Sequence, residues 1–244
     1  MKGVGKEILH SGDIKGKIVV DTTTVHPSTS TEVSSQIQEV GALFIAAPVF
    51  GATPLAQAGR LLVAVAGPSA AIQKISPFLT DVIARNVIQV GDEPSKSLLL
   101  KTTSNFITAG LMYLISEAHV FAEKSGLPAD VLETLIGENF GAMALSDSQR
   151  MTQGIYCPAK DEKPYSDLGL GMKDVKIGLH IAKEKGMKLE VGHLVWATMD
   201  EAKAFGDSRG RQLDSSSMYG IVRRSAGLEF ETEHVMKRDG EIDT

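Results

Sequence analysis

Cysteine is almost missing from this chain: Cys157 stands alone among 244 residues. One thiol closes no intramolecular disulfide and completes no cysteine-based metal site, which excludes a disulfide framework and fits a reducing compartment. The histidines His10, His26, His119, His180, His193 and His234 show no ligand spacing, so no metal is expected. Aromatic residues are scarce at 5%, and the single tryptophan, Trp196, reads as core or subunit interface. Basic excess is also missing. The formal net charge is -5 and the 25 Lys and Arg residues are dispersed, which argues against a nucleic-acid surface and for a small-molecule ligand. No apolar run approaches the roughly 20 residues of a bilayer span, and the opening MKGVGKEILHSGDIKGK contains no signal-like apolar stretch. A soluble, cytoplasmic protein is expected, with no membrane partner. Gly-x-Ser-x-Gly is absent, so a hydrolase nucleophile elbow has no support.

What is present is a globular composition, 43% hydrophobic and 23% charged, enough for one large domain or two modest ones. From Lys15 to Val90 short β-rich runs alternate with polar or Ala-rich stretches, the pattern of an α/β sheet. Strands are predicted at Lys17–Thr24, Ala42–Val49, Arg60–Gly67 and Asn86–Gly91. Helices are predicted from Thr31 and from Pro68, and FGATPLAQAG reads as a loop. After Gly91 helical periodicity takes over: a stretch of about seven turns from Leu98, a helix after Pro128, one ended by Gly186 and one ended by Gly206. The polar segment Gln153–Leu168 reads as an excursion over the surface. The domains expected are 1–95, a sheet domain, 96–230, a helical domain, and 231–244, a charged tail that frays.

The segment LLLKTTSNF places Lys101 and Asn105 one helical turn apart, so an amine and an amide lie on one helix face and can converge on a small polar substrate. By itself a lysine on a helix is more often solvated. Thr22–Thr24 can equally be a strand end, and Lys173-Asp174 an ordinary charge pair opening a helix.

Four segments occur in order: VDTTTVHP, APVFGATPLAQAGRLLVAVAG, KTTSNF and MKDVKIGLHIAKEKG. Together they resemble the β-hydroxyacid dehydrogenase family, from about Lys15 to about Ser217. The resemblance implies an NAD(P)-dependent oxidoreductase that interconverts a small hydroxy acid and its semialdehyde or keto acid, with NADP or NAD as cofactor and a homodimer built on the helical half. It implies Lys101 as general acid/base and Asn105 as the residue holding lysine and substrate in register. Thr24 and Lys173 would lie beside the cofactor; Thr23, Phe50, Gly51 and Ala52 would lie on the substrate. The chemistry is consistent with these types, since a desolvated lysine can donate to a developing alkoxide and an amide can orient it without adding charge. The substrate loop of the family reads Ala-Pro-Val-Ser-Gly-Gly. Here it is Ala47-Pro48-Val49-Phe50-Gly51-Ala52, which removes a hydroxyl donor and adds an apolar surface.

One family element is not found. A dinucleotide site of this kind opens with a strand, a Gly-x-Gly-x-x-Gly turn and a helix N-terminus that cradles the pyrophosphate. Gly3-Val4-Gly5 lacks the third glycine and a preceding strand, and Gly169-Leu170-Gly171 sits in the helical half. The expected fold is therefore α/β, a truncated Rossmann-type sheet followed by an all-α C-terminal domain. Its sheet should have an unpaired parallel edge. The alternative function is a non-catalytic remnant acting as an oligomerisation or interaction module.

Overall fold

The computed structural model describes residues 2–242. The chain divides into two compact units at Ser104/Asn105. The first contains α1 (Lys2–His10), β1 (Ile18–Asp21), α2 (Pro27–Glu39), β2 (Leu43–Ala46), β3 (Val49–Phe50), α3 (Thr53–Gln57), β4 (Leu61–Ala66), α4 (Ser69–Leu79) and β5 (Ala84–Gly91). It also holds the first turns of α5 (Pro94–Lys124), so the division falls inside that helix and not at residue 95.

The sheet is mixed. β1 runs parallel to β2 and β5 parallel to β4, whereas β2 and β3 are both antiparallel to β4. β4 is thus the hub, and its residues Val63, Ala64, Val65 and Ala66 are fully buried. Such a strand reads as one apolar run because both of its faces are covered. On β2 the alternation divides the core: Ile45 packs with Ile72, Ile75 and Leu79 of α4, whereas Phe44 and Ala46 pack with Val33 and Ile37 of α2. Among the described residues β1 pairs on one side only, and Val20 on it is 38% exposed.

Two strand predictions and one loop shift. The first strand stops at Asp21, and Thr22–Thr24 lie in the loop beyond it, because Asp21 turns its side chain back on Thr23. The single run Ala42–Val49 is two strands, β2 and β3, separated at Ala47-Pro48; Pro48 has no N–H to continue a ladder. The loop expected after it contains α3, opened by Pro54 in its first turn.

The second unit is helical: the remainder of α5, α6 (Ala129–Thr152), α7 (Leu168–Glu184), α8 (Glu190–Arg209), a 3-10 turn (Ser215–Ser217), α9 (Met218–Ser225) and α10 (Glu233–Arg238). α6 is kinked at Gly141, whose φ of 83° and ψ of -179° are open to glycine and strained for other residues. The segment 153–168 is not a surface excursion throughout: Tyr156 and Cys157 are fully buried. Tyr156 donates its hydroxyl to the Phe230 carbonyl and accepts from the Thr232 amide, both at 2.9 Å, so a polar tip is satisfied inside an apolar core. α8 runs past Gly206 and ends at Gly210 with φ 60°. Gly206 is instead a close approach, since a Cβ there would lie 2.8 Å from the Arg211 carbonyl oxygen. The charged tail carries α10, capped by Thr232 and anchored by the buried Val235.

α5 is long and apolar enough, by length and composition, to cross a membrane, with a mean hydropathy of 1.2 over its best window. Its apolar positions divide by face. Ala109, Met112, Ile115 and Val120 belong to the core, whereas Ile107, Leu114 and Phe121 recur every seven residues and are exposed.

Candidate functional site

In the first unit, the polar loop after β1 leaves from the carboxyl end of the parallel β1–β2 pair, the edge at which open α/β sheets place their ligands. Asp21 is 7% exposed; its Oδ1 accepts from the Thr23 amide at 3.0 Å and the Thr23 hydroxyl at 2.7 Å. Thr23, expected on the substrate, therefore has its hydroxyl proton committed to Asp21. Asp21 Oδ2 is buried and accepts no hydrogen bond among the described residues. Thr24, the residue expected beside the cofactor, is half-buried one position on.

Phe50 pairs with Leu62 across the β3–β4 ladder and is half-buried. Lys101 Nζ lies 4.9 Å from the centre of its ring, within cation–π range. Gly51 follows with φ 134°, and a Cβ there would lie 2.8 Å from Leu61 Cδ2 and 3.1 Å from Leu55 Cβ, so glycine is required on both counts. Ala52 is the half-buried N-cap of α3 and, lacking a side-chain acceptor, makes no cap hydrogen bond. Lys101 and Phe50, distant in sequence, are thus brought together. Two other residues hold the start of α5: Leu98 is fully buried, and Ser97 donates to the Ala46 carbonyl at 3.4 Å and the Pro94 carbonyl at 3.0 Å.

In the second unit, Asn105 Nδ2 donates to Asp174 Oδ2 at 2.7 Å. Asp174 Oδ1 is 3.0 Å from Lys173 Nζ, whose side chain is 47% exposed, in an ion pair. Asp174 is the residue that reading for lone functional types passed over: it was visible only as the neighbour of Lys173. α7, which carries both, is capped by Asp167, whose carboxylate accepts from the Leu170 amide at 2.9 Å. Gly171 in the Gly-x-Gly pair packs against Ser215 and Met199, where a Cβ would approach to 3.2 Å and 3.3 Å. These glycines serve helix packing.

The fit to a dinucleotide is uneven along its length. Gly5 lies within α1 and faces Val33, Gly171 lies within α7, and neither follows a strand. Among the described residues no strand leads through a Gly-x-Gly-x-x-Gly turn into a helix; the single Gly67 between β4 and α4 packs against the Phe44 carbonyl, 2.7 Å from where its Cβ would be. The carboxyl end of the parallel β1–β2 pair, where open α/β sheets place their ligands, is polar.

Comparison with known proteins accounts for both units. Residues 97–235 match the family described as the NAD-binding domain of NADP-dependent 3-hydroxyisobutyrate dehydrogenase. Residues 4–91 match the NAD binding domain of 6-phosphogluconate dehydrogenase. The NADH-dependent oxidoreductase ucdB of Aspergillus ustus is 27% identical over 229 residues, 93% of this chain and 75% of that protein. The 2-(hydroxymethyl)glutarate dehydrogenase of Eubacterium barkeri is 26% identical over 213 residues, 87% of this chain and 68% of that protein. The fold is that of a 3-hydroxyisobutyrate dehydrogenase from Salmonella typhimurium, with a TM-score of 0.72 over 84% of this chain and 69% of that one, at 22% identity. NAD or NADP is the cofactor class of both matched families. With an α/β sheet unit and a helical unit each matched in chain order, the chain belongs to the β-hydroxyacid dehydrogenase family.

Proposed function

We propose that the protein is an NAD(P)-dependent oxidoreductase that reduces a small carbonyl compound, a semialdehyde or keto acid, or oxidises the corresponding hydroxy compound. The observation that carries this reading is one continuous helix, α5, presenting Lys101 and Asn105 a single turn apart, with the amide of Asn105 anchored to Asp174. Lys101 donates a proton to the carbonyl oxygen in reduction and takes it back in oxidation. Asn105, its orientation set by Asp174, holds that geometry. Thr24 and Lys173 are the residues assigned to the cofactor, which when bound supplies or accepts the hydride. The loop Phe50-Gly51-Ala52, with Thr23, is assigned to the substrate.

The test is NADPH and NADH oxidation with a panel of small semialdehydes, keto acids and uncharged aldehydes, alongside thermal shift with each cofactor. Lys101→Ala should lower turnover by about 10²–10⁴-fold, the usual contribution of a general acid, with the melting temperature kept. Turnover unchanged in that variant would remove the lysine from the mechanism.

A second reading has its own observation. Ile107, Leu114 and Phe121 form an exposed apolar stripe at heptad spacing along α5, suited to a second copy of the chain. We assign this face to a homodimer, and it serves equally a non-catalytic oligomerisation module. Light scattering in solution tests the association, with Leu114→Glu expected to dissociate it. A wild-type monomer overturns the dimer, and no cofactor-induced shift at millimolar NADPH or NADH favours the non-catalytic reading.

A further inference from the structure

An aromatic ring is one neighbour of the Lys101 amine. Phe50 puts its ring under Nζ at 4.9 Å, and Gly51 after it leaves no room for a side chain, since a Cβ there would meet Leu61 and Leu55. Leu55, which a Cβ on Gly51 would touch, is 45% exposed. An aromatic face carries the negative part of the ring quadrupole. It attracts an ammonium and repels an anion brought to the same face, and it offers no hydrogen-bond donor to replace the water that a carboxylate would lose.

We propose that Phe50 is a specificity-determining residue that turns this site toward carbonyl compounds with an uncharged apolar or aromatic group a short, two-carbon reach from the reacting carbon, and against substrates carrying a carboxylate there. This rests on the assignment of Lys101 to the reacting oxygen, and names the substrate class of that same site. The ring has two consequences for one geometry. It faces the Lys101 amine from which reduction takes its proton, and it gives an apolar substituent a surface against which to lose water.

The probes are hydrocinnamaldehyde, apolar and aromatic, and succinic semialdehyde, a carboxylate, each with NADPH and with NADH. Wild-type protein should favour hydrocinnamaldehyde in kcat/KM. Phe50→Ser should shift the ratio of the two toward succinic semialdehyde by about 10–100-fold, the range that pocket contacts of this size command. Phe50→Leu keeps an apolar wall and controls for folding; it should retain the wild-type order. A wild-type preference for succinic semialdehyde, or a ratio unmoved by Phe50→Ser, overturns the proposal. Ligand-observed saturation-transfer NMR with hydrocinnamyl alcohol and γ-hydroxybutyrate separates this proposal from the oxidoreductase reading. Should neither aldehyde be reduced, that reading fails, and the NMR still decides the substrate class: saturation of the aromatic alcohol alone, lost in Phe50→Ser, supports it. Equal saturation of both alcohols, or of neither, overturns it.

Discussion

Asn105 and Asp174, 69 residues apart, are joined by a hydrogen bond of 2.7 Å from the amide nitrogen to a carboxylate oxygen. It fixes which way round the Asn105 amide lies: Nδ2 faces Asp174, so the side-chain oxygen faces away. Asp174 is in turn 3.0 Å from Lys173, so three polar side chains from α5 and α7 set one another's positions.

Asn105→Asp should place two carboxylates in that contact. Like charges this close cannot both ionise without cost, so one pKa rises and stability is lost as pH climbs through it. We expect a loss of about 1–3 kcal/mol near neutral pH, recovered on acidification. The swap Asn105→Asp with Asp174→Asn should restore most of it. Urea unfolding at two pH values reads both effects, and a double variant no better than the single one would deny the direct contact.

Asp147 provides a pH signature in the helical unit. Burial pushes its carboxyl up from the ordinary 3.8 to about 6; Arg150 beside it pulls the other way and Asp214 adds to the rise. The folded state therefore holds this proton more tightly than the unfolded chain. The advantage is complete below about 3.8, fades as pH rises through about 6, and is gone at neutrality. At 1.36 kcal/mol per unit, ionised Asp147 costs on the order of 3 kcal/mol at neutral pH. Asp147→Asn should raise stability at neutral pH and flatten its dependence between these limits, measured by denaturant titration across pH. A pH profile identical to wild type would refute this.

Gly220 faces the ring of Phe230, where an added Cβ would lie 2.4 Å from Cε2. Phe230 is also stacked on Phe205 with ring centres 3.8 Å apart, so it cannot retreat. Gly220→Ala should cost about 1–3 kcal/mol, the range for overpacked cores, despite the better helix propensity of alanine. Calorimetry should show the melting transition lowered by several degrees, about 2–4 °C for each kcal/mol in a chain of this size.

Cys157 should be silent to thiol reagents in the native protein. Burial pushes its thiol up to about 12, with Arg211 opposing and Glu231 adding to the rise, so almost no thiolate exists at neutral pH. Ellman's reagent should titrate one thiol only after unfolding. Rapid labelling of the native protein would mean that the segment around Tyr156 opens readily.

Much of the sheet unit was legible because its strands are apolar runs bounded by Gly and Pro. β4 and β5 fall where composition placed them, and the helices α5 to α8 follow their periodicity. The errors share a cause. Gly206 looked like a helix stop because glycine favours C-caps, but its smallness serves a contact with the carbonyl of Arg211, which local sequence does not encode. Segment 153–168 looked superficial because it is polar on average, whereas Tyr156 and Cys157 within it are core. The parallel-sheet expectation missed β3, which is two residues long and antiparallel to β4.

Sequence alone determined the types of the longer elements, the family and the residues worth testing, since hydrophobic period and motif order are local properties of the chain. Only the tertiary structure decided their partners: Phe50 beneath Lys101, Asp174 on Asn105, and the Thr23 hydroxyl committed to Asp21. The physical reason is that a side chain's chemistry depends on what lies within a few ångströms, and those neighbours are set by strand pairing and helix packing between distant parts of the chain.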